Sequence, residues 1–183
     1  MPKVLVGTTM SLDGFIEDRN GSVSRLYPDL AELRKTEMLK ESMKMTGAAL
    51  MGRKAFDMAQ GDLTGYEYQT PIFVLTHHVP ETPIKGQNDK LKVHFITDGV
   101  ESAIEKAKAA AGADKVVTVV GGASTAQQII QKGLADELEI GIVPVLLGDG
   151  LRFFGTDPLE LELIRVYQSP GRTDLRYRVV KGK

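Results

Sequence analysis

Three groups of residues in this chain are of types and spacings that could do chemistry. The first is Gly121-Gly122 followed by Ala123, Ser124 and Thr125. Five β-favouring residues, Val116 to Val120, precede the pair, and Ala126, Ile129 and Ile130 recur behind it at helical spacing. That order reads as strand, tight turn, helix. Glycines at such a corner let a ligand approach the backbone, and the free N–H groups of the helix start attract an anion, with phosphate the natural guest. A plain strand-to-helix turn explains the same residues. The dinucleotide fingerprint G-x-G-x-x-G is not met, because the required later glycines are missing. The second group is Met51-Gly52-Arg53-Lys54, where another strand delivers a glycine and then a helix start, here with two cations at the end where cations are normally disfavoured. The third is Thr76-His77-His78 at the close of an apolar run. Adjacent side chains on a strand point to opposite faces, so the two histidines do not readily share a metal ion, and no metal site is expected.

The rest of the chain must position these groups. Its 183 residues suffice for one domain with a full core, taken to span residues 1–183. Hydrophobic residues at 42% and charged residues at 26% are ordinary for a globular protein, and no apolar run approaches the roughly 20 residues of a membrane span. The formal charge of −1, without a basic cluster interleaved with aromatics, offers nucleic acid no general attraction. Any anion must be held locally. The absence of cysteine excludes disulfides, thiolate metal sites and a cysteine nucleophile. The amino terminus runs from Met1-Pro2-Lys3 through three apolar residues to Gly7 without a signal-peptide pattern, so a cytoplasmic location is expected.

Lys3 to Thr9 reads as a strand buried on both faces. Met10 to Gly21 reads as a loop, with Asp13-Gly14 and Asn20-Gly21 as turn signals. Pro28 to about Met45 favours helix with a break near Thr36, and Asp29 suits the start. Strands follow at Ala48–Met51, Pro71–Thr76 and Val93–Thr97, and a helix from Asp98 to Gly112 with Asp98 at its cap. Ser124 and Gln127 fit a capping box for the helix after the glycine pair, and Gly133 suits its left-handed end. Beyond Leu138–Val143, the runs around Leu159–Leu163 and Leu175–Val179 alternate, with Pro170-Gly171 as the turn between them. This order predicts a three-layer α/β domain with a mostly parallel central sheet and antiparallel carboxyl-terminal strands.

Four motifs occur in an order that resembles the dihydrofolate reductase-like superfamily: Ser11-Leu12-Asp13-Gly14-Phe15-Ile16, Met51-Gly52-Arg53-Lys54, Gly121-Gly122-Ala123-Ser124 and Pro144-Val145-Leu146-Leu147-Gly148-Asp149-Gly150. With Asp136-Glu137-Leu138, the set is most similar to the branch that holds the reductase domain of the riboflavin-pathway deaminase-reductase. The likeness runs from Lys3 to Val180 and rests on the ordered set, since no single motif is specific.

The resemblance implies an NADPH-dependent reductase of a small pteridine, aminopyrimidine or carbonyl substrate. The pyrophosphate would lie on Gly121, Gly122 and the helix start at Ala123, Ser124 and Thr125. Arg53 and Lys54, beside Gly52, would face the adenosine 2′-phosphate with Thr76 and His77, which favours NADPH over NADH. The nicotinamide would sit near Thr9 and Ile16 under a lid formed by residues 13–20. The heteroatom next to the carbon that accepts hydride needs a proton, and Asp13 and Asp29 are the candidate acids, each with a second reading as a turn or helix-start residue. Val120 stands where the riboflavin-pathway reductases carry a substrate-touching glutamate, and no deaminase zinc motif occurs. A homodimer through the carboxyl-terminal strands is also implied. Two other functions are compatible with the sequence: a protein that binds NADPH or another nucleotide without turnover, and an anion-binding domain without dinucleotide. The last requires Arg53 and the Gly121 turn to lie far apart.

Overall fold

The structure, a computed structural model, describes residues 1–155 and 158–182. Its strands are β1 (Val4–Ser11), β2 (Phe15–Asp18), β3 (Thr46–Gly52), β4 (Ile72–Leu75), β5 (Val93–Ile96), β6 (Val116–Val119), β7 (Glu137–Val143), β8 (Gly150–Arg152), β9 (Leu161–Ser169) and β10 (Arg172–Val179). Its helices are α1 (Leu30–Lys35), α2 (Glu37–Met45), α3 (Arg53–Met58), α4 (Val100–Ala111) and α5 (Ala123–Gln131). Eight strands form one sheet in the order β5-β4-β3-β6-β1-β7-β10-β9, parallel from β5 through β7 and antiparallel at β10 and β9. The carboxyl ends of β4, β3, β6, β1 and β7 therefore share one edge, where ligands bind in open α/β sheets.

Helices cover both faces. Val4, Val6, Ala48, Leu50, Val117 and Val119 face α4 and α5, whose Ile104 and Ile129 are buried against them. Each such isoleucine stabilises the fold by about 1.5–3 kcal/mol. The alternate residues Ala49 and Met51 meet Phe56 of α3 on the other face, and Met38 and Leu39 of α2 pack on Tyr167 of β9. Beneath α2 the face becomes polar: Arg176 is paired with Glu139 of β7 and, at 2.8 Å, with Glu41 of α2. Burial holds the Glu139 carboxyl above its usual range although Arg176 opposes the shift. Among the described residues no helix is long and apolar enough to cross a membrane.

The predicted break in the first helical stretch falls at Thr36, whose extended backbone ends α1 and starts α2; its hydroxyl donates to the Leu33 carbonyl and accepts from the Leu39 N–H. Two expected caps are corrected. Helix α4 begins after Gly99, and the Asp98 carboxylate instead holds Ser102 and Lys106. Helix α5 begins after Gly122 without a side-chain cap, which places Ser124 inside the first turn, and Gln127 reaches the Arg152 and Phe153 carbonyls. At its other end Gly133, at φ +66°, closes the helix as expected: its N–H donates to Ile130 and that of Leu134 to Ile129. A larger correction concerns residues 13–20. They are not a free loop, because Phe15–Asp18 pairs antiparallel with Gly150–Arg152 across a register shift.

Candidate functional site

The two strand-glycine-helix corners sit side by side because β3 and β6 are neighbours. The Gly52 N–H donates to the Gly121 carbonyl at 3.0 Å. A Cβ on Gly122 would lie 2.8 Å from the Gly52 backbone, and Gly122 also holds a φ of +87° that L side chains rarely adopt. Only glycines allow this approach. The first-turn N–H groups of Ala123, Ser124 and Thr125 have no intrahelical acceptor, and α5 has no side-chain cap to occupy them. The Thr125 side chain is buried in the gap between the corners, where a Cβ on Gly52 would meet its Oγ1 at 2.6 Å. Ser124 is exposed, and its Oγ accepts from Gln128. Arg53 directly follows Gly52, so its backbone stands beside the Gly121 turn.

The cations behave differently from one another. Arg53 is fastened across the end of β4: Nε donates to Asp57 at 2.7 Å and Nη1 to the His78 carbonyl at 3.0 Å, which also accepts from the Thr76 hydroxyl. Its Nη2 makes no hydrogen bond among the described residues. Lys54 Nζ lies 2.9 Å from the Glu17 carboxylate and ties α3 to the β2–β8 ribbon. His77 is exposed beside Thr76. Among the described residues no group of three or more acidic residues and histidines could hold a metal ion.

Asp13 also departs from its expected part. Its carboxylate accepts from the Ser11 hydroxyl at 2.6 Å, the Leu147 N–H at 3.1 Å and the Gly148 N–H at 2.8 Å. These donors hold it near a pKa of about 2, led by the Ser11 hydrogen bond. An acid that weak in protons is a staple between the 11–14 turn and the 144–150 segment, with no proton to give at neutral pH. Arg152 completes the staple, donating to the Asp13 carbonyl at 3.1 Å while its guanidinium lies 4.4 Å from the centre of the Phe15 ring.

Asp29 caps α1, accepting from the Glu32 N–H at 3.0 Å, and stands exposed at the mouth of a cavity of about 170 Å³. Apolar side chains, among them Leu26, Leu33, Val143 and Pro170, form most of its wall, and Arg172 reaches it from the start of β10. Arg172 was not legible as a site residue. Its side chain is 9% exposed, its Nε donates to Asp174 at 3.0 Å, and its Nη2 donates to the Thr9 hydroxyl at 3.1 Å. Thr9 is therefore buried and engaged, and Ile16 lies half-buried against the main core. Gly141 makes the room: a Cβ there would lie 2.0 Å from the Arg172 guanidinium and 2.6 Å from Asp174. A glycine inside strand β7 was the signal that another group approaches closely.

Val120 is half-buried against the apolar cluster around Met51 and Phe56.

Comparison with known proteins agrees with this architecture. Among curated proteins, the uncharacterized protein YyaP of Bacillus subtilis (strain 168) is 28% identical over 157 residues, covering 83% of this chain and 80% of YyaP. A proposed riboflavin biosynthesis protein from Shewanella sp. PV-4 superposes with a TM-score of 0.78 at 24% identity, covering 98% of this chain and 99% of that one. Dihydrofolate reductase from Enterococcus faecalis, solved with NADP(H), superposes with a TM-score of 0.59 at 17% identity over 98% and 97% of the two chains, which shows a dihydrofolate reductase-like fold. The family model described as the RibD C-terminal domain matches residues 2–174, and this chain belongs to that family.

Proposed function

We propose that the protein is an NADPH-dependent reductase of a small heteroaromatic or carbonyl substrate. The observation that supports this reading is the contact between the corners at Gly52 and Gly121-Gly122, which sets the uncapped start of α5 beside the strand end that Arg53 follows. Gly121, Gly122, Ala123, Ser124 and Thr125 would receive the pyrophosphate through backbone N–H groups, and Arg53, steadied by Thr76 and His78, the 2′-phosphate. Bound NADPH would supply a hydride. The chain's own part is to place the nicotinamide beside Thr9 and Ile16, exclude water with the β2–β8 ribbon and deliver a proton. Asp29, at the mouth of the cavity, is the carboxyl group retained for that proton relay. Val120 removes the side chain that would hydrogen-bond a phosphoribosylaminopyrimidine, so a smaller substrate is favoured. A reductase that draws on the cell's NADPH pool works in the cytoplasm.

A homodimer belongs with this reading. Leu161, Leu163 and Val166 of β9 lie opposite Val179, Tyr177 and Leu175 of β10 and leave an apolar face open at the sheet edge. A second copy would cover it.

Thermal unfolding with NADPH, NADH and NADP⁺ tests the reading. Ligand at a hundred times its dissociation constant adds about 2.7 kcal/mol, roughly 5–11 °C for a chain of this size. The expected result is a shift with NADPH that exceeds the shift with NADH and largely disappears in Arg53→Ala. No shift with any of the three at saturation overturns the reductase.

A further inference from the structure

We propose that Arg172 is the group that receives the substrate's carbonyl oxygen, and that the substrate is a small neutral carbonyl compound; this rests on the reductase reading above. The Arg172 side chain as a whole is 9% exposed, yet only its Nε and Nη2 are committed, to Asp174 and Thr9. Nη1 makes no hydrogen bond among the described residues, and Arg172 lines the cavity. Nη1 is not sealed in protein, so it stays open to water at the cavity wall, and a ligand oxygen there would take the water's place.

The charges decide what kind of oxygen. Asp174, 0% exposed, neutralises Arg172 from behind, and besides Tyr27 the other ionisable groups that line the cavity are the carboxyl side chains of Asp29 and Glu32. An anionic substrate would meet repulsion at the mouth and a neutralised cation at the floor. A neutral carbonyl avoids both. Its oxygen becomes negative only during the reaction: the carbonyl carbon, or the β-carbon of a conjugated enone, accepts the hydride, the π pair moves onto oxygen, and NADPH is left as NADP⁺. The oxygen, or the α-carbon after enol formation, then takes a proton from solvent at the mouth beside Asp29. Nη1 stabilises the developing charge from a position that Asp174 and Thr9 hold in advance. The contact between Arg172 and Thr9 also sets this donor next to the expected nicotinamide position. The cavity, at about 170 Å³, lies below the range usual for drug-sized ligands and suits a single ring.

The test compares cyclohex-2-enone with cyclohexene, its hydrocarbon counterpart, in ligand-observed NMR titrations. The wild-type protein should bind the enone on the order of tenfold more tightly than the alkene, the worth of one hydrogen bond to a charged donor. In Arg172→Met/Asp174→Asn, which removes the guanidinium without stranding a buried carboxylate, that contrast should vanish while the thermal shift with NADPH persists. Should the double variant not fold, the arginine side-chain 15N–1H signals of the wild type provide the reading: the Arg172 Nη resonances should move with the enone and stay still with the alkene. An enone preference that survives the double variant, unmoved Arg172 signals, or no enone binding to the wild type overturns the proposal. Arg172-dependent enone binding without any NADPH shift would instead retain the carbonyl site and remove the reductase.

Discussion

The Gly52 N–H donates to the Gly121 carbonyl at 3.0 Å, so the ends of two strands separated by nearly seventy residues of chain form one corner. Replacement of Gly122 by alanine tests how much depends on that approach. The new Cβ would lie 2.8 Å from the Gly52 backbone at a φ of +87°. Both the clash and the left-handed conformation cost free energy, together about 2–4 kcal/mol. Urea unfolding should show a loss of that order, and the thermal shift with NADPH should shrink with it.

Asp13 predicts a pH dependence. Its folded pKa of about 2 lies below the ordinary value of 3.8, so its hydrogen bonds stabilise the fold above pH 4 and that stability fades as pH falls toward 2. Asp13→Asn should therefore be less stable than wild type at neutral pH, with the gap closing in acid. Reductase rates between pH 5 and 8 should show no limb that titrates with Asp13. A limb that disappears in Asp13→Asn would return this residue to the chemistry.

The pair Arg176 and Glu139 predicts an asymmetry. Arg176→Met strands the Glu139 carboxylate in a buried place and should cost about 3–5 kcal/mol. Glu139→Gln should cost much less, since Arg176 keeps Glu41 at 2.8 Å and a glutamine oxygen still accepts from it. Burial holds the Glu139 pKa above its usual range, so the wild type gains stability as pH falls through that range while a glutamine does not titrate, and this smaller cost should grow in acid. Equal losses from the two variants, read by chemical denaturation, would contradict the account.

The β9 edge predicts association. Leu163 and Val166 are 54% and 46% exposed. Sedimentation of the wild type should give a dimer, and Leu163→Asp/Val166→Asp should sediment as a monomer that keeps its far-UV spectrum, because neither side chain supports the core of one copy. A wild type that stays monomeric at high concentration would leave the apolar face unexplained.

What the sequence by itself determined is what local chemistry encodes. Apolar runs ending in Gly52 and Gly121-Gly122, the break at Thr36, the left-handed end at Gly133 and the turn at Pro170-Gly171 each follow from propensity and backbone freedom within a few residues. The alternation of strands and helices was enough for the three-layer fold, because a parallel sheet demands crossovers. Tertiary structure decided the partners. Lys54 went to Glu17 and Asp13 to Leu147 and Gly148, since the β2–β8 ribbon joins segments more than a hundred residues apart across an irregular register. Ser124 lost its expected cap because the left-handed Gly122 starts α5 unaided. Arg172, Asp174 and Thr9 met over Gly141 only because β10 runs back along β7 beside β1. A charge's partner depends on the register of distant strands, and no local pattern in the chain carries that register.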